Sequence, residues 1–217
     1  MNDIDTWLVG VPEYDAEGVV IRRFEVTQRE ADFDKLRTAL NPQRGDRSVD
    51  AGTYTRLEVD GVLWMTDTPA EVRDLYRIDE IMGQNNGGSM LIVGLGLGLV
   101  VGRAITAHDM KWIDVVEREQ RVIDAVGPYY HYLAEQYGCV LNIHHADIHK
   151  WRTERGEVAP CWGIGFFDIW PHIDSEDMPE VRRLRNRFRP RLVHFEAWAQ
   201  DERIAQARRI RTGTGWY

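Results

Sequence analysis

The stretch LIVGLGLGLV, residues 91–100, decides how the rest of the chain is read. An apolar run of strand length leads into Gly94, Gly96 and Gly98, which alternate with leucines. Glycine tolerates positive φ and lets another group approach the main chain closely. The helix that follows begins with N–H groups that have no intrahelical partner. The stretch therefore reads either as strand, ligand-cradling turn and helix start, or as a tight strand–helix packing joint. On the first reading the leucines pack while the backbone binds, so the loop needs no polar side chains.

Downstream of this loop the chain alternates between strand and helix patterns. Strands are expected at 90–93, 112–116, 139–144, 163–169 and 191–195. Helices are expected at 97–107, at 119–134 with a break at Gly127-Pro128, at 178–188 and at 197–211. Such alternation implies right-handed crossovers and a Rossmann-like parallel α/β sheet with helices on both faces. Upstream, residues 1–67 read as a small β-rich domain and 68–217 as the ligand-binding domain. Residues 18–26 form a strand, and 53–68 a hairpin turning at Asp60-Gly61. One helix then starts at Thr68, with Pro69 at its first position and Glu71 closing a capping box. Its expected stripe is Val72, Leu75, Tyr76, Asp79 and Met82.

Ligands on such sheets bind at the carboxyl ends of the strands. Three acids fall there. Glu117 ends the second strand, 23 residues after Gly94, where a carboxylate accepts both ribose hydroxyls or complements a helix dipole. Asp147 follows the third strand, where it accepts from an adenine amino group or caps a helix. Asp168 ends the fourth, where it orients a substrate amine or the cofactor's sulfonium side, or caps the strand end. Arg118 and Ile148, next to the first two acids, are placed in the same cofactor site. A dinucleotide fingerprint wants GxGxxG, and here the third glycine is off position. Acids after three successive strands suit S-adenosylmethionine better.

Residues 53–170 resemble the spermidine synthase-like branch of class I S-adenosylmethionine-dependent methyltransferase folds. The order LEVDG, DEIM, LIVGLGLG, DVVERE, ADIHKW and FFDIW carries that resemblance. It implies a Rossmann-like domain behind a small β-hairpin domain, with Gly94, Gly96 and Gly98 wrapping the cofactor, Glu117 on the ribose and Asp147 on the adenine. The departures concern the amine-binding half. Leu97 stands where aminopropyltransferases carry an Asp, as in GGGDG. Trp64 replaces a Gln after the hairpin turn, Ile78 replaces a Tyr unless Tyr76 shifts in, and DIWPHIDSED replaces D-x-x-D-P. A cation beside Leu97 would be left unpaired, at a cost of several kcal/mol.

The resulting expectation is an S-adenosylmethionine-dependent methyltransferase of unknown acceptor. Asp168 and His172 carry the chemistry, and Trp64, Tyr76 and Trp170 line the acceptor side. The alternatives are a divergent aminopropyltransferase using decarboxylated S-adenosylmethionine, with Asp168 or Asp174 holding the cation, and a non-catalytic cofactor-binding protein. The remaining sequence adds bounds. Net charge is −8, which argues against nucleic-acid binding by the whole surface, yet residues 182–211 hold ten arginines against Glu196, Asp201 and Glu202. That run is either a phosphate-tracking patch or a solvated face paired with acidic neighbours. Cys139 and Cys161 lack metal-ligand spacing, and His144 and His145 point to opposite faces of a strand, so no metal is expected. No apolar run reaches membrane-spanning length and the N-terminus lacks a secretory signal, so a cytoplasmic location is expected. An exposed sheet edge after the last strand would suit a homodimer.

Overall fold

The computed structural model describes Trp7 and residues 10–40, 48–152, 162–170, 174–200 and 204–206. Two sheets make up its frame. The first is antiparallel, in the order β1 (Tyr14–Ala16), β2 (Val19–Val26), β3 (Gly52–Val59), β4 (Val62–Thr66). Its tight turns are Glu17-Gly18 and Asp60-Gly61, and all four residues have positive φ, as the twist of a two-residue hairpin requires. Between β2 and β3 runs α1 (Gln28–Ala39), opened by a Thr27–Glu30 capping box.

The second sheet is parallel. Its strands are β5 (Ser89–Val93), β6 (Trp112–Glu117), β7 (Val140–His145), β8 (Trp162–Phe167) and β9 (Leu192–Ala197), in the spatial order β7-β6-β5-β8-β9. Numbered within the sheet this is 3-2-1-4-5, the Rossmann order, with its reversal between β5 and β8. Helices α2 (Pro69–Asp74), α3 (Tyr76–Gly83), α4 (Leu99–Thr106), α5 (Gln120–Tyr137) and α6 (Met178–Phe188) complete the described residues' main elements. One core joins Val19, Ile21, Leu57 and Val59 of the antiparallel sheet to Ile92, Ile105, Val122 and Val126. A second core, under α6, holds Leu91, Val93, Trp162, Phe167, Val181, Leu184 and Phe188. Arg121 on α5 ties the two sheets together. It donates to Asp60 (2.8 and 3.0 Å) and to the Glu17 carbonyl (2.9 Å), holding both hairpin turns.

Several expectations need correction. The helix expected from Thr68 is two helices, because Leu75 closes a short turn onto the Val72 carbonyl (3.0 Å). Its capping box does not form: the Thr68 hydroxyl meets Thr66 Oγ1 at 2.9 Å instead. The break puts Ile78 in the core and sends Asp79 to Arg103 (2.8 Å) and His108 (2.6 Å). Helix α5 runs unbroken through Gly127-Pro128. A helix-interior proline costs about 3 kcal/mol. Burial of Val122, Val126, Tyr130 and Ala134 against the sheet outweighs that, at about 1.5–3 kcal/mol for each large apolar side chain. Of the helix expected at 197–211, β9 takes the start and 204–206 are helical; 201–203 and 207–211 lie outside the described residues, as does Cys161.

Asp114 places a buried charge within the second strand of the parallel sheet. The Asp114 carboxylate accepts from Trp112 Nε1 (2.8 Å), Trp162 Nε1 (2.8 Å), Asn142 Nδ2 (3.0 Å) and His144 Nε2 (3.1 Å). Burial alone would push its pKa up; the four donors outweigh burial and hold it at about 2, against 3.8 ordinarily. A carboxyl group that is more acidic folded than unfolded stabilises fully above the unfolded value and loses that contribution as pH falls through the folded one. Urea unfolding should therefore show about 2 kcal/mol lost between pH 4 and 2, a loss that Asp114→Asn lacks.

Candidate functional site

The glycine loop leaves β5 at the point where the sheet order reverses. Gly94, Gly96 and Gly98 have φ of +97°, +50° and +76°, left-handed values that glycine adopts without Cβ strain. The Gly94 N–H donates to the Val116 carbonyl (2.9 Å), and the Asp168 N–H to the Val93 carbonyl (2.8 Å). These bonds fix the ends of β5, β6 and β8 side by side. The Asp168 carbonyl lies so close over Gly94 that a Cβ there would overlap it. Half-buried Asp168 also lines a small cavity, with Met65, Leu75, Leu99 and Phe166.

Glu117 ends β6 and is 7% exposed. Its Oε2 accepts the Leu95 N–H (2.8 Å) and its Oε1 accepts the Glu119 N–H (2.8 Å). The carboxylate thus braces the glycine loop from the neighbouring strand. A carboxylate has about four lone-pair sites, and these two bonds use two of them. Leu97 is fully buried, and its carbonyl accepts from the Tyr130 hydroxyl (2.8 Å). Burial pushes the Tyr130 phenol up, so it stays a donor.

Met65 is the residue that sequence reasoning missed. Its Sδ takes the Leu97 N–H (3.1 Å) and lies 2.5 Å from where a Cβ on Gly96 would be. Trp64, read as a substrate residue, is 46% exposed. The register passes from Leu57↔Met65 to Glu58↔Leu63, so Trp64 is the extra residue of a β-bulge. A bulge re-aims the side chains after it, which strict alternation does not anticipate.

The other expected residues are spread around this centre. Asp147 Oδ1 accepts the His149 N–H (2.9 Å), closing the turn after β7. Ile148 is buried in the second core, and its carbonyl accepts from Arg187 (2.6 Å). Arg118 is exposed, with its carbonyl accepting from His145 Nε2 (3.1 Å). Tyr76 packs on the main core at the start of α3. Trp170 is 6% exposed and donates to Glu180 (2.7 Å), which makes it a packing residue rather than an open stacking platform. His172 lies outside the described residues. Among the described residues no group of three or more His, Cys, Asp or Glu side chains is placed to hold a metal ion, and no helix is long and apolar enough to cross a membrane.

No family model matches the chain, and no curated protein does. Solved structures do. Coclaurine N-methyltransferase bound to N-methylheliamine and SAH is 16% identical, with a TM-score of 0.36 over 47% of this chain and 27% of that one. P. horikoshii TYW2 in complex with MeSAdo is 10% identical, with a TM-score of 0.35 over 69% and 58%. Thermococcus litoralis Δ1-pyrroline-2-carboxylate reductase with NADH and L-proline is 9% identical, with a TM-score of 0.30 over 74% and 50%. This chain spans little more than half, or less, of each.

Proposed function

We propose that the chain is an S-adenosylmethionine-dependent methyltransferase whose cofactor lies across the Gly94–Gly98 loop. One observation carries this reading. A buried carboxylate, Glu117, braces a left-handed glycine loop through Leu95 N–H and keeps acceptor sites for a pair of hydroxyls. The residues that would hold the cofactor are Gly94, Gly96, Gly98 and Glu117, with Arg118, Asp147 and Ile148 on the adenine side. The cavity beside the loop is only about 20 Å³, whereas ligand pockets run to roughly 300–1,000 Å³. Met65, a flexible side chain, lines this cavity and its Sδ covers the Leu97 N–H. Swinging it away frees the Leu97 N–H as a donor.

When bound, S-adenosylmethionine supplies a sulfonium-borne methyl group. Its transfer needs an aligned acceptor in a dry site more than strong acid–base help. Leu75, Leu99 and Phe166 give the cavity an apolar lining, and Asp168, which also lines it, would hold and orient the acceptor. His172 shares the chemistry with Asp168, Trp64 and Tyr76 line the acceptor side, and Trp170 serves through packing. Against aminopropyl transfer stands Leu97, whose side chain is spent in the core, so the loop offers no carboxylate to a cation.

Calorimetric titration with S-adenosylmethionine, S-adenosylhomocysteine, decarboxylated S-adenosylmethionine and NAD tests this reading. The first two should bind and the last two should bind more weakly. Preference for the decarboxylated form would put aminopropyl transfer first, and preference for NAD would replace the proposal with a hydride-transfer enzyme.

A further inference from the structure

We infer that the exposed flank of α6 binds a single nucleic-acid strand through its phosphodiester backbone. Helix α6 lays Val181, Leu184 and Phe188 into the second core and turns Arg182, Arg183 and Arg185 to solvent, followed by exposed Arg189. Arg182, Arg185 and Arg189 fall at i, i+3 and i+7. At 1.5 Å per residue they form a row roughly 10 Å long on one side of the helix.

These four guanidinium groups have no carboxylate partner among the described residues. Arg22, Arg56, Arg77, Arg103 and Arg121, elsewhere on the chain, each have one. The single acid of α6, Glu180, is engaged by His149 (2.9 Å) and by Trp170 (2.7 Å). The run is therefore not a solvated face laced by i,i+4 pairs. The helix dipole favours cations in the last turn but not Arg182 and Arg183, which lie before it.

Positive charge also accumulates at the far end of the helix. Arg187 donates to the carbonyls of Ile148 (2.6 Å), His149 (3.0 Å) and Trp151. Burial, and then the neighbouring guanidinium groups of Arg152 and Arg191, lower its pKa. Six arginines and no lysine occupy 178–191, on a chain whose net charge is −8. Guanidinium forks match phosphate oxygens bidentately, and an uncompensated local field of this kind draws a polyanion. Helix α6 lies with its apolar face against the sheet, so it presents a flank that a flexible strand can follow. This inference does not depend on the methyl-transfer reading.

Fluorescence anisotropy with labelled single-stranded RNA and DNA of one mixed sequence, titrated across a salt series, tests it. Four backbone contacts predict a slope of log K against log salt of about −3. The combined variant Arg182→Gln, Arg183→Gln, Arg185→Gln and Arg189→Gln should bind at least about tenfold more weakly at ~0.1 M salt and lose most of that slope. The corresponding four Arg→Lys changes should keep the slope, which separates charge from fold. A wild-type slope near zero overturns the inference without any variant. So does unchanged binding by the Gln variant, tighter binding of duplex than of single strand, or binding of phosphatidylserine vesicles in place of either strand.

Discussion

Gly94→Ala is expected to lower stability by about 3 kcal/mol and to abolish ligand binding. Two effects add. A left-handed φ of +97° costs a residue with a Cβ roughly 1–3 kcal/mol. The Cβ would also overlap the Asp168 carbonyl, which cannot retreat because the Asp168 N–H is bonded to Val93. Overpacking of this kind costs about 1–3 kcal/mol more. For a chain of this length the melting temperature should fall by roughly 6–12 °C. Gly138→Ala is the control. It has a φ of +65° with nothing near the added Cβ, so backbone strain acts alone, and its loss should be about 1 kcal/mol. Equal losses at the two positions would show that Gly94 is conserving a turn and not a close approach.

Much of this frame was legible in the sequence, because the parallel strands are short apolar runs bounded by turns. Ser89–Val93 and Trp112–Glu117 fall within a residue or two of their expected limits. The Asp60-Gly61 turn has the positive φ at both residues that its dipeptide implies. Helix α1 was not read, and the reason is physical. It buries only Ala31 while Phe33, Leu36 and Leu40 stay exposed, so no core-facing period marks it. Its signal lay in the Thr27–Glu30 capping box instead. The short β1 likewise lacked a pattern.

The site was legible where backbone conformation decides it and obscure where tertiary contacts do. Three glycines between strand and helix require left-handed backbone, and all three have it. An acid at the end of β6 suffices to place Glu117 beside them. No local pattern says that a bulge at Trp64 brings Met65 onto the loop. None says that Tyr130, 33 residues on, grips the Leu97 carbonyl. The sequence leaves Asp147 two roles, adenine acceptor or cap, and its bond is to the His149 N–H; Trp170, expected on the acceptor side, donates to Glu180.

Glu117→Ala carries the other large effect. It removes the almost wholly buried carboxylate that accepts from two N–H groups, Leu95 and Glu119. An abandoned buried donor costs about 1–3 kcal/mol. The Leu95 N–H is the more enclosed of the two, so the expected loss is roughly 2 kcal/mol. Glu117→Gln keeps one oxygen to accept from Leu95 and should lose less stability, yet it surrenders the charge. Each hydroxyl bonded to a charged acceptor contributes about 1.5–3 kcal/mol. Two of them lost correspond to at least about a hundredfold in affinity.

The affinity of S-adenosylhomocysteine for the unaltered chain, for Glu117→Gln and for Glu117→Ala, by calorimetry below each variant's melting range, therefore tests the account most directly. It predicts measurable binding to the first, with at least a hundredfold weakening in both variants at retained fold. Equal affinity in all three, or no binding to any, would contradict it and return the three glycines to strand–helix packing.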